Sequence, residues 1–370
     1  MSDVEYDLDA ATLRDSANPY ERFFDLLPVE DPALLPAARF TPTVHATALG
    51  EKLGLPWLYL KDETGLPTGS TKDRMADVAL AYLYESGVHT FATSSTGNSS
   101  SAYAHAIARF PELTMYVFTG EDFRGRLAIE AADRIVDVVL RDGTFVEAFE
   151  LAGEFARRRG VVAERGFFNP GRREGLKLAW LEAAEQVPRS IDWYVQAVSS
   201  AMGVYGVYKA AGELCALGLL ERAPRLLCVQ QDTCAPMVTA WRDGSEEIRP
   251  ADVVPRPTGI AEAILRGDPT RAYPHVRRIV LESGGTFVSV SEHEIRDAFD
   301  LVEELEGITP CFAAAAAVAG LSKLRLEGCV DETETVLVNL TGGAREGTPP
   351  TAATRWLERT PDGWDLAPLL

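Results

Sequence analysis

Pro67-Thr68-Gly69-Ser70-Thr71-Lys72-Asp73-Arg74 joins two unlike stretches of chain. Before it, Trp57–Lys61 has the apolar character of a buried strand. After it, Lys72–Glu85 carries apolar residues at Val78, Leu80, Ala81 and Leu83, which predicts a helix. The turn between them is polar and contains a glycine, so one lysine stands at the start of a helix. The helix dipole disfavours an ammonium there and lowers its pKa. A lysine depressed in this way can form a Schiff base with a carbonyl. An ordinary exposed loop lysine is the other reading of this stretch. The chain offers only six lysines, at 52, 61, 72, 177, 209 and 323. The main competitor, Lys61, lies in a strand beside Asp62 and Glu63, which would keep it charged.

Working outward, residues 1–40 read as an arm with helical pieces, broken by Asp-Pro and Leu-Pro pairs. Strands are expected at Thr90–Thr93, Leu113–Thr119 and Val136–Leu140, with helices near Gly97–Arg109 and over Phe145–Arg159. A second run starts at Trp193–Val198. It continues through a helix after Gly203, strands Leu226–Val229 and Ile279–Leu281, helix Glu292–Leu305 and strand Thr335–Leu340. Arg242–Thr258, rich in Pro, Asp and Arg, reads as a surface loop. Strand–helix alternation at this spacing means parallel sheets with helices on both faces.

The chain has 370 residues, 46% hydrophobic and 25% charged, enough for a full core in two or three domains or one two-lobed α/β unit. Its net charge of −19 argues against nucleic acid and against anionic membrane surfaces. Any bound phosphate must then be held locally, by backbone N–H groups and hydroxyls. The five cysteines form no C-x-x-C pair and no disulfide frame, which fits a reducing cytoplasm. The start, Met1-Ser2-Asp3-Val4-Glu5, lacks the apolar core of a signal peptide. Cys311–Leu321, the most alanine-rich run, is too short to span a bilayer and reads as a buried helix.

Ligands of open parallel sheets bind at the carboxyl ends of strands. Beside the Lys72 turn, three more loops fall there. Ser94–Ser101 crowds hydroxyls and an amide around Gly97 at a helix start, suited to a carboxylate or phosphate; an elaborate helix cap is the plainer reading. Val198–Gly206 again runs strand, turn, helix, with small residues that let backbone approach a phosphate; G-x-G-x-x-G is absent. Asn339–Arg345 follows a late strand, where Gly342-Gly343 makes a turn and Thr341 puts a hydroxyl at the strand end. The five histidines have no metal-ligand spacing, and no G-x-S-x-G elbow marks a serine hydrolase.

Together these loops resemble threonine synthase and its relatives, pyridoxal-phosphate (PLP) enzymes of the tryptophan-synthase-β fold, fold type II. The resemblance runs from about Thr41 to Arg345. It rests on Thr41-Pro42, on Leu58–Glu63 with the Pro67–Arg74 block, and on Ser95-Thr96-Gly97-Asn98-Ser99. Asn169-Pro170 with Arg172, Glu174-Gly175 and Lys177, and then Gly259–Gly267, complete it. It implies a two-lobed α/β fold, each lobe a mostly parallel open sheet. Residues 1–75 and 170–370 would form the large PLP-binding domain and 76–169 the small substrate domain, in a homodimer. It also implies roles. Lys72 would hold PLP as a Schiff base and shuttle the Cα proton, and Asn98 would hydrogen-bond the PLP 3′-oxygen. Ser199, Ser200, Ala201, Met202 and Gly203 would cradle the phosphate, and Thr341 would face the pyridine nitrogen. Ser95, Thr96 and Ser99 would receive the substrate carboxylate, and Arg172 would clamp a distal anion.

The departures bear on substrate. Gly166 and Phe167 stand where the family often carries an Asn-Ser that helps hold the phosphate of O-phosphohomoserine. The late T-G-H-G-x-K pattern reads Thr341-Gly342-Gly343-Ala344-Arg345, without the histidine. The default expectation is O-phospho-L-homoserine and water giving threonine. The rival is a β-replacement or β-elimination enzyme on serine, threonine or O-phosphoserine, cysteate-synthase-like or dehydratase-like. A non-catalytic small-molecule sensor is a third class, against which intact Lys72 and Asn98 argue.

Overall fold

The structure is a computed structural model, and it describes residues 3–95, 97–129, 133–344, 354–361 and 363–370. Two sheets organise it. The larger runs in the order Thr43–His45, Leu58–Asp62, Val336–Leu340, Trp193–Ala197, Arg225–Gln231, Thr286–Val290. Its first strand pairs antiparallel and all the others parallel. The smaller sheet is parallel throughout, in the order Thr354–Leu357, Ile135–Leu140, Thr114–Gly120, Thr90–Ser94, Val162–Ala163. Helices cover both, as the expected α/β class requires.

Strand order decides where the chemistry goes. Val336–Leu340, late in the chain, inserts between Leu58–Asp62 and Trp193–Ala197. The Lys72 turn, the Thr341 turn and the Ser199–Gly203 turn follow these three neighbouring strands, so their carboxyl ends bring the turns together. The alanine run forms helix Phe312–Leu326, with Ala313 to Ala317 buried. Small side chains let it lie tight on the sheet: a Cβ on Gly320 would come within 2.4 Å of the Val229 side chain.

Two expectations change. Ile279–Leu281 is not a strand but part of helix Tyr273–Glu282, whose buried residues Tyr273, Val276, Ile279 and Val280 recur at helical spacing. The strand is Thr286–Val290, after Gly284-Gly285. The stretch 170–370 also does not stay whole in the large lobe, because Thr354–Leu357 pairs with Ile135–Leu140 and closes that edge of the small sheet.

Candidate active site

Helix Lys72–Glu85 starts where its neighbours fix it. Asp73 accepts from the Thr68 N–H and hydroxyl, both at 2.7 Å, and ties the turn to the helix. Arg74 donates to Glu63 at 2.7 Å and to Glu182 at 2.6 Å in the fully buried base of the site. On the far side, the Thr71 N–H donates to the Thr341 carbonyl at 2.9 Å and the Gly343 N–H to the Gly69 carbonyl at 3.0 Å. A Cβ on Gly342 would press within 2.9 Å of the Gly69 carbonyl oxygen, so only glycine lets these turns close up.

The lysines separate by environment. Lys61 is buried and donates to Glu182 and the Thr41 carbonyl, both at 2.7 Å. Lys177 pairs with Glu174 at 2.6 Å and Glu213 at 2.8 Å, Lys209 pairs with the same two acids, and Lys323 donates to the Ser289 carbonyl. Lys52 sits exposed in the last turn of helix Thr47–Leu53. Of the six lysines Lys72 alone lines the central cavity, and among the described residues its Nζ makes no hydrogen bond or ion pair, though Cys311 and Glu63 lie near enough to favour its charge. Burial, and then repulsion from Arg172, pull its pKa down to about 8. The cause expected from sequence was the helix dipole; loss of water around the ammonium dominates.

The cavity encloses about 610 Å³ between the lobes. Asn98, Ser95, Ser99, Thr341 and the whole Ser199–Gly203 turn line it beside Lys72. Thr96 and Arg345 lie outside the described residues. The Ser199–Gly203 turn leads into helix Met202–Ala216, with Ala201 held in the left-handed region at φ 59°. That conformation costs a non-glycine residue about 1–2 kcal/mol, a strain that collects at ligand sites. Among the described residues no acceptor faces the N–H groups of Ser199 through Val204. They form a ready anion cradle at a helix N-terminus. Ser95 is turned into its own loop: its hydroxyl accepts from the Gly97 N–H at 3.0 Å and the Ser100 N–H at 3.2 Å, capping helix Asn98–Ala106.

Arg172 is where the structure departs most from expectation. It lines the cavity, but its guanidinium meets the buried Glu164 carboxylate in a two-pronged pair, with the Tyr103 hydroxyl at 3.0 Å. Its remaining arm donates to the Ser99 hydroxyl at 3.4 Å. Arg172 therefore reaches the cavity as half of a neutral pair and braces the serine loop. Phe167 is buried in the cavity wall, its ring edge-on to Tyr205 with centroids 5.6 Å apart. Arg266 also lines the cavity, although nothing in its segment Gly259–Gly267 beyond the family resemblance marks it as a site residue.

An acceptor-free lysine, an amide cradle and a neutral hydroxyl around one cavity are the donor set of a phosphate-bearing aldehyde cofactor, and the residues present fit it. The comparisons agree. The chain belongs to the family of pyridoxal-phosphate-dependent enzymes, whose model matches residues 34–342. Its cofactor is pyridoxal 5′-phosphate. It is similar to the threonine synthase of Methanosarcina acetivorans, 33% identical over 92% of this chain and 85% of the relative. It is also similar to the cysteate synthase of the same organism, 30% identical over 87% of this chain and 81% of the relative. The solved structure of maize serine racemase shares the fold, with a TM-score of 0.66, 19% identity, and coverage of 83% of this chain and 89% of that one. No helix among the described residues is long and apolar enough to cross a membrane, and no cluster of metal-ligating side chains occurs among them.

Proposed function

We propose that this enzyme eliminates a β- or γ-leaving group from an α-amino acid and adds a nucleophile at Cβ. O-phospho-L-homoserine and water giving threonine is the first reaction to test. The observation that supports it is the acceptor-free Lys72 facing the Ser199–Gly203 amides and Thr341 across one cavity. Bound PLP supplies the electron sink that makes the Cα proton removable. The protein supplies the rest. Lys72, neutral above about pH 8, holds the cofactor and carries the α-proton at Nζ. Asn98 holds the cofactor's phenolic oxygen, and the Ser199–Gly203 N–H groups hold its phosphate. Thr341 offers the ring nitrogen a neutral hydroxyl, which favours elimination and replacement over transamination. Ser95, Thr96 and Ser99 receive the substrate carboxylate, with Ser99 braced by Arg172. We further propose that the protein works as a cytoplasmic homodimer.

One observation favours the second reading, β-replacement or β-elimination on serine, threonine or O-phosphoserine. Phe167 takes up wall space with an apolar ring where a longer phosphorylated side chain needs donors. The test is to add O-phospho-L-homoserine, O-phospho-L-serine, L-serine and L-threonine to the holoprotein. Visible absorbance of the cofactor and phosphate release are followed. The proposal expects a spectral change with at least one, and threonine from the first. If none of them perturbs the spectrum, the proposal fails.

A further inference from the structure

The chain carries a net charge of −19, yet arginines 157, 165, 172, 266 and 271 line this cavity against glutamates 150, 154 and 164. Glu164 is taken by Arg172, and Glu154 pairs with Arg158 on its own helix. Arg157, Arg165 and Arg271 are exposed, so water already solvates them. Arg266 differs. Its guanidinium lies over the rings of Phe145, 5.6 Å from the centroid, and Phe149, 5.3 Å from the centroid. Its Nε donates to the Asp268 carbonyl at 3.2 Å, and among the described residues no carboxylate forms an ion pair with it. Burial pulls its pKa down to about 10; Asp268 opposes the shift, while nearby Arg172 and Arg271 add to it. A half-buried guanidinium, repelled by two others and with Asp268 near but no carboxylate in an ion pair with it, is an unfavourable arrangement in the free protein. The aromatic faces steady such a cation without cancelling its charge, and leave N–H groups for a two-pronged grip.

We infer that Arg266, not Arg172, binds the distal oxyanion of the substrate, a phosphate-type group carried on the amino-acid side chain. The inference rests on the proposed amino-acid chemistry of this cavity and names the residue that selects for charge. A free phosphate ion presents the same oxygens, so the experiment separates the two sources.

The holoenzyme is compared with Arg266→Gln, Arg266→Lys and the charge-free pair Glu164→Gln/Arg172→Met. Steady-state constants are measured for O-phospho-L-homoserine, O-phospho-L-serine and L-serine, together with competitive inhibition by inorganic phosphate. Arg266→Gln should raise KM for the phosphorylated substrates about 30-fold or more, the scale of a lost charge-assisted pair, with kcat changed far less. KM for L-serine should stay within about threefold, and Arg266→Lys should recover part of the loss, because a point charge replaces the fork. Inhibition by inorganic phosphate should weaken in parallel. Inhibition that weakens while KM for the phosphorylated amino acids holds would mean a free-ion site and overturn the inference. So would equal losses for all three amino acids, or a charge-selective loss in the Glu164/Arg172 pair instead. If no amino acid perturbs the wild-type cofactor spectrum, the proposed function falls. The substrate part of the inference then falls with it, and the thermal shift that inorganic phosphate gives the holoprotein and Arg266→Gln tells separately whether Arg266 binds an oxyanion at all: an equal shift in both would overturn that too.

Discussion

The pKa of Lys72 gives the most demanding test of how this site works. Freed of cofactor, the protein must attack an aldehyde with a neutral amine, so under the proposed role of Lys72 the rate of cofactor capture should follow its neutral fraction. With a pKa near 8, about one molecule in ten has that amine neutral at pH 7; for an ordinary lysine the figure is about one in 2,500. Between pH 7 and pH 9 the capture rate should climb about tenfold and then level, whereas an unperturbed lysine gives about a hundredfold rise with no bend. Stopped-flow absorbance on apoprotein mixed with PLP at graded pH measures this. Borohydride reduction and peptide mapping should then put the label on Lys72. Replacing the neighbouring charges together, Glu164→Gln/Arg172→Met, removes the repulsion that helps depress the amine and should move the bend to higher pH. The sign also fixes stability. Because the folded-state pKa is depressed, the unfolded chain binds more protons between pH 8 and the ordinary lysine value, so apoprotein stability gains from this group as pH rises through that window. A hundredfold, unbending rise, or label on Lys61, would refute the assignment.

Three further outcomes follow from the geometry. Asn98→Ala should keep the fold but change the cofactor's visible spectrum and lower turnover about 100-fold or more, the scale of a lost positioned partner; an unchanged spectrum and rate would leave the loop a helix cap only. Lys61→Met should lower unfolding free energy by about 3 kcal/mol, the low end for a broken buried pair because Arg74 still holds Glu182, and leave the cofactor spectrum unmoved; denaturant melts and absorbance check both. Ser95→Ala removes the acceptor for the Gly97 and Ser100 N–H groups and should cost about 1 kcal/mol of stability, with no loss expected in PLP affinity on titration of the apoprotein.

What the sequence made legible was whatever depends on local order. The Lys72, Thr341 and Ser199–Gly203 turns each follow a strand of the larger sheet and Asn98 follows one of the smaller, and parallel sheets put such turns at the carboxyl ends of their strands, where both sets line the cavity. Helix Tyr273–Glu282 was also within reach, since Tyr273, Val276, Ile279 and Val280 keep helical spacing; the β-branched run around Ile279 outweighed that period. Thr354–Leu357 gave no such cue. Its place at the edge of the small sheet depends on pairing with Ile135–Leu140, more than 200 residues away.

The two arginines mark the limit of sequence reading most sharply, because a side chain's charge is written in the chain and its partner is not. Arg172 sits in a motif that marks it as an anion clamp, and nothing local announces that Glu164 folds back beneath it. That return depends on Arg165 adopting the left-handed region, at φ 68°, in the short turn leading into Asn169-Pro170. Arg266 sits in no motif the chemistry demanded, and its importance comes from a missing acid and two aromatic faces contributed by helix Phe145–Arg159 across the cavity. An arginine already neutralised by a buried carboxylate has little to gain from a second anion, since the incoming charge is repelled by the first carboxylate as it is drawn to the guanidinium. A half-buried arginine that no carboxylate holds in an ion pair has more to gain from a charge-assisted pair with an incoming anion. On the proposed role of Arg266, substrate selection in this cavity follows from which cation the fold leaves without an ion pair, and only the assembled lobes decide that.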